Sequence, residues 1–136
     1  MRKLFELFDS NIPYNVTEET ADSFIVEFMI EDLLYTFLAD YSNLYGWDIQ
    51  FGAGESGEVS ITNTGNQFTV FATIGSILMD FINFYSPDIF HFSATKTEMS
   101  RVKLYSIFAK KIQSSLHYAF KIVETDYESI FKFYKE

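Results

Sequence analysis

From Ser23 to Tyr41 the chain reads SFIVEFMIEDLLYTFLADY, two aromatic and β-branched runs split by Glu31-Asp32, which predicts a β-hairpin turning on that acidic pair. Trp47 to Phe51 predicts a further strand that leads into the glycines of FGAGESG. Glu58 to Thr62 and Gln67 to Thr73 flank NTGN, whose Asn and Gly tolerate the left-handed backbone of a tight turn, and so predict a second hairpin. Residues 14–73 are thus expected to form an antiparallel meander, preceded within 1–10 by a short helix on Leu4, Leu7 and Phe8. After Thr73 the period changes. Ile74, Ile77, Leu78, Phe81, Ile82 and Tyr85 recur at helical spacing, with Thr73 as N-cap and Pro87 past the end.

Residues 88–94 read as a strand. A helix follows, with Thr95 and Glu98 at the spacing of a capping box, and Tyr118 to Glu124 and Ser129 to Tyr134 close the chain as strands around TDYE. The expected fold is α+β: one domain over 1–136 with a mixed, mostly antiparallel sheet of six or seven strands and a C-terminal βαβαββ half. Its 74–136 part runs helix, strand, helix, strand, strand. The crossover from strand 67–73 to strand 88–94 makes those two the expected parallel neighbours.

Hydrophobic residues make up 48% and aromatics 19% of the 136 residues, so a core is certain and some rings are expected at the surface. Net charge is −9, unevenly spread: residues 1–95 hold two cations against fourteen acids, residues 96–136 eight against five. An acidic surface argues against direct nucleic-acid binding, which depends on neutralising phosphates. With no cysteine there is no disulfide or thiolate nucleophile, and His91 and His117 alone are too few for a metal site. No segment approaches the roughly 20 apolar residues of a membrane span, and the N-terminus lacks a signal-peptide cleavage pattern, so the expectation is a soluble cytoplasmic protein.

Gly52, Gly54 and Gly57 carry the letters of a dinucleotide fingerprint, but a strand is expected after them where a helix is required, so they read as a hairpin loop. The acids Glu18, Glu19, Asp22, Glu27, Glu31 and Asp32 match no calcium loop and read as solvated, although a dense acidic face suits a basic partner. His91 reads as a hydrogen-bonded structural histidine, since the sequence identifies neither an orienting carboxylate nor a nucleophile for it. The helix after Thr95 is the main candidate. On a helical wheel Leu104, Tyr105, Phe108 and Ile112 fall within about 60° of Arg101, while Lys103 and Lys110 fall opposite. Arg101 therefore points to the sheet, where it needs an internal acid such as Glu27 or a bound anion. Arg101, Tyr105, Thr73, Ser76, Ser93 and Thr95 form the candidate ligand site, at the strand ends of the βαβ unit.

Two resemblances add to this. The order of elements over roughly 20–136 resembles the GCN5-related N-acetyltransferase fold, and Leu104-Tyr105 matches the end of that family's Asn-x-x-Ala-x-x-Leu-Tyr pattern, with Glu98 and Arg101 standing where Asn and Ala would. The resemblance implies acetyl-CoA as cofactor and Tyr105 as the general acid that protonates the departing thiolate. In place of the family's pyrophosphate loop stands FATIGSI, with the single Gly75 and no basic residue, which leans the reading away from an enzyme. TNTGNQFTVFAT and FSATKTEMSRVKLY resemble segments of small proteins of tailed bacteriophages. That implies a phage-encoded, non-catalytic binding protein in the cytoplasm of the infected host, an acidic inhibitor of a nucleic-acid or defence protein. The alternatives are a degenerate acetyl-CoA-dependent acyltransferase and a binder of a small phosphorylated ligand.

Overall fold

The computed structural model describes residues 12–53, 67–97 and 99–136, without the side chains of 53, 67, 68 and 99–101. The helix expected within 1–10, the strand Glu58 to Thr62 and the loop at Gly54 and Gly57 lie outside the described residues.

The chain forms β1 (Asn15–Glu19), β2 (Ser23–Ile30), β3 (Leu33–Ser42), β4 (Gly46–Ala53), α1 (Gln67–Tyr85), β5 (Ile89–Thr95), α2 (Met99–Leu116), β6 (Tyr118–Glu124) and β7 (Glu128–Lys135). The seven strands make one mixed sheet in the order β1-β2-β3-β4-β5-β7-β6. Neighbours are antiparallel except β4 and β5, which pair in parallel through Trp47 with Phe90, Asp48 with His91 and Ile49 with Phe92. The hairpin expected over Ser23 to Tyr41 is present, and its two turn residues, Glu31 and Asp32, both have positive φ, as a tight two-residue connection requires. The closing hairpin around Thr125 to Tyr127 is also as expected.

Residues Gln67–Thr73 correct the reading. They are not a strand but the first turns of α1. Their aromatic and β-branched content suggested β structure, yet Val70, Ile74, Ile77 and Phe81 lie on one helical stripe, each at most 2% exposed. Burial along that stripe outweighs local propensity. Thr73 is accordingly no N-cap. It is fully buried inside the helix, where its hydroxyl donates to the Thr69 carbonyl at 2.8 Å and accepts from the Ile12 amide at 3.2 Å. The first strand of the βαβ unit is therefore β4, and the parallel neighbour of β5 is β4. The capping box also changes: Thr95 ends β5, its hydroxyl meeting that of Thr97 at 3.2 Å, and α2 begins only at Met99. Glu98 lies outside the described residues.

Alternation along the strands places both helices on one face. Phe81 of α1 meets the rings of Phe24, Phe37, Trp47 and Phe90 at 5.1 to 6.4 Å. Tyr105 of α2 meets Phe51, Phe92 and Phe131 at 4.5 to 5.7 Å. Phe90 and Phe92 sit two residues apart on β5, on the same side of the pleat, so α1 and α2 lie side by side over it. The opposite face carries no described element. Both helices end on a residue with positive φ, Ser86 and His117, which gives His117 a backbone role at the end of α2.

Candidate functional site

The side chains that point away from the helices form an ordered pattern on the open face. Directly paired residues in five adjacent strands run Asp40 (β3), Asp48 (β4), His91 (β5), Lys132 (β7), Lys121 (β6). With strands about 4.8 Å apart, this row crosses roughly 19 Å of sheet and passes from two carboxylates through a histidine to two ammonium groups. The strand order causes it: β1 to β4 and their turns hold eight acids and no cation, and the C-terminal hairpin carrying the lysines lies beyond β5.

At the centre of the row His91 Nε2 lies 3.1 Å from Asp48 Oδ1, and Gln50 Nε2 donates to Asp48 Oδ2 at 3.1 Å. The hydrogen bond from His91 holds the Asp48 carboxyl below the usual carboxylate range, against the opposing effect of partial burial. His91 is thus the hydrogen-bonded histidine that its setting suggested, and Asp48 is the orienting carboxylate that sequence reasoning missed. No local signal marks that pair, because the parallel register of β4 and β5 alone brings it together. Ser93 lies two residues along the same face of β5, and no hydrogen bond joins it to His91 among the described contacts.

Beside the row is a cleft of about 740 Å³, whose lining includes Trp47, Tyr85, Tyr41, Tyr45 and Tyr134. Trp47 packs on Tyr85 at 4.7 Å and on Tyr41 at 5.5 Å. At the β3–β4 turn Leu44 and Tyr45 project into solvent, 84% and 71% exposed. Gly46 seats that turn. Its φ of 75° is left-handed, and a Cβ there would stand 2.8 Å from the Ile89 carbonyl oxygen. Burial and the nearby acids Glu19 and Asp22 raise the pKa of Tyr85, whose hydroxyl donates to the Thr20 carbonyl at 2.7 Å.

The sheet divides the residues expected to share a site. Thr73, Ser76 and Tyr105 are buried on the helix side, whereas Ser93 and Thr95 point to the open side. Arg101 lies in the first turn of α2, and its side chain is outside the described residues. Glu27 is on the open face, across the sheet from α2. The wheel of α2 is otherwise as read: Leu104, Tyr105, Phe108 and Ile112 are buried, and Lys103 and Lys110 are exposed. Lys96 pairs with Glu124 at 3.4 Å.

No protein-family model and no curated protein matches the chain. Among the described residues no helix is long and apolar enough to cross a membrane, and no three potential ligands cluster for a metal. The open face thus presents an ordered charge pattern, and a cleft lined by rings from both sides of the sheet lies at its margin.

Proposed function

We propose that this is a non-catalytic binding protein that engages a basic partner protein through the β1–β2 edge of its sheet. One observation carries the reading. Glu18, Glu19, Asp22, Glu27, Glu31 and Asp32, close together in the sequence, all fall on β1, β2 and the turns that follow them, with no cation among them. β1 is exposed at every residue and is a terminal strand of the sheet. A cation-free edge attracts a basic surface from a distance and blocks pairing with other acidic edges. The resemblance to tailed-phage proteins makes a host nucleic-acid or defence protein in the infected cell the natural partner class.

The test is capture of host proteins from lysate on the immobilised chain and on a Glu18→Lys/Glu19→Lys variant, at low and high salt. Basic partners are expected on the native chain at low salt, released as salt rises, and lost from the variant. Partners held equally by both chains at high salt would rule the edge out.

A second reading, a degenerate acetyl-CoA-dependent acyltransferase, is favoured by the sheet: a four-strand meander, one parallel pair, and a closing hairpin whose last strand sits inside. The parallel ladder stops after Ile49 and Phe92, and Tyr105 packs between Phe51 and Phe92 just beyond it. Acetyl-CoA at 100 times its dissociation constant would add about 2.7 kcal/mol to stability, and absence of any thermal shift would remove this reading.

A further inference from the structure

We propose that the open face is a homodimer interface, in which a second copy packs sheet against sheet about a two-fold axis running along β5 at His91. The argument begins with the sign pattern of the row Asp40, Asp48, His91, Lys132, Lys121. It changes sign about its central residue. A two-fold axis in the interface plane, parallel to β5, exchanges the two sides of that row. Asp40 then faces the partner's Lys121, Asp48 faces the partner's Lys132, and His91 faces its own equivalent. Isologous contacts demand this kind of self-complementarity, and few surfaces have it. A random polar row would set like charges together under the same operation, which costs association.

The row on the Gly46 side fits the same operation. Gly46 stands against Ile89, which pairs with Tyr134, so Gly46 lies beneath the partner's Tyr134, a small residue against a large one. The exposed Leu44 and Tyr45 are carried over the partner's Tyr134, which lines the cleft. Burial of these side chains supplies the apolar contribution that the charge row lacks, and aligned packing of two twisted sheets is an ordinary arrangement.

The overlap spans β3, β4, β5, β7 and β6. It leaves β1 and β2 uncovered at each end, because β5 is not the middle strand of the sheet. The dimer rests on the charge row and not on the proposed role of the acidic edge. If that role holds as well, the dimer displays two such edges and binds a repeated basic partner with avidity.

Sedimentation equilibrium of the full chain tests the dimer, with an expected mass of twice 15.8 kDa. The outer pair is the place to vary, since Asp40 and Lys121 are both exposed and leave the Asp48–His91 contact untouched. Asp40→Lys sets like charges against Lys121 twice in each dimer, and Lys121→Asp does the same against Asp40. Each variant alone is expected to weaken the dimer about tenfold or more. Mixed together they are expected to form the heterodimer at native strength, and the double variant Asp40→Lys/Lys121→Asp to recover the homodimer, which also shows that the substituted chains fold. A native chain that stays monomeric overturns the proposal. So does a dimer indifferent to both single variants, or one that mixing fails to restore. Glu18→Lys/Glu19→Lys leaves the dimer intact, so loss of partner binding in that variant with the mass unchanged separates the two proposals.

Discussion

On β2, Phe24, Val26 and Phe28 are buried beneath the helix layer, while Ser23, Ile25 and Glu27 between them face outward. The same division runs through β3, β4, β5 and β7, so each strand contributes to two unlike surfaces. The helix side is held by rings: Phe81 and Tyr105 each anchor a helix in a cluster of aromatic side chains contributed by several strands. The one ion pair described on that side, Lys96 with Glu124, lies at the exposed margin of the sheet, and the row of paired charges from Asp40 to Lys121 is on the other side. The difference separates what folds the protein from what it can recognise. Substitutions on the helix side should cost stability, and those on the open side should change association or pH response.

The sharpest way to break the comparison is Phe81→Ala. Phe81 is fully buried between α1 and four strands, and its loss is expected to cost about 3–5 kcal/mol in denaturant unfolding. A cost no larger than that of an open-face substitution would mean that the aromatic layer is not the core. Gly46→Ala comes next, at the seam of the two surfaces. It forces a left-handed backbone on alanine and drives its Cβ against the Ile89 carbonyl, for roughly 1–3 kcal/mol. It should also move the Leu44–Tyr45 turn. An unchanged midpoint would show that the turn relaxes without strain.

Tyr118→Phe tests a polar contact inside the helix-side layer. The Tyr118 hydroxyl is pushed up to about 12 by burial and by Asp88, and it donates to the Pro87 carbonyl at 2.6 Å. Removing it leaves a buried acceptor without that donor, for about 1 kcal/mol. The loss should be the same at neutral and mildly acid pH, because the phenol is protonated at both. A loss that varies across that range would implicate Asp88 instead of the hydrogen bond.

Two hairpins, Ser23 to Tyr41 and the closing one, were legible in the sequence because strand alternation and turn chemistry are local, whereas the hairpin expected around NTGN is not formed, its second strand being the start of α1. Glu31-Asp32 and Thr125 to Tyr127 mark turns wherever the strands then go. Gln67–Thr73 was misread for the opposite reason, since Thr69, Val70, Phe71 and Thr73 suit either structure and only the buried stripe through Val70 and Ile74 decides. That error passed to the topology and assigned β5 the wrong parallel neighbour. The face of α2 was readable from its period, down to the exposure of Lys103 and Lys110. The charge row was not, because its members come from five strands and meet only through strand order and register. The split of charge along the chain was its one trace in the sequence.

Asp48→Asn carries the smallest expected effect and bears most directly on the open face. The His91 hydrogen bond depresses the folded pKa of Asp48, so Asp48 contributes stability above its unfolded pKa of about 3.9, and that contribution is lost as pH falls through the lower folded value. At neutral pH the asparagine variant should be slightly less stable than the native chain. The gap should begin to narrow below about pH 4, where the carboxyl of the unfolded chain takes up its proton, and close only below the lower folded value. Urea midpoints across that range measure it directly. A gap of equal size at pH 7 and pH 3 would mean that the substitution acts through packing or through Gln50, and that the charge on Asp48 contributes nothing. If the gap closes, the Asp48–His91 contact is an electrostatic one formed by the register of β4 and β5, and the central element of the row is established independently of any partner.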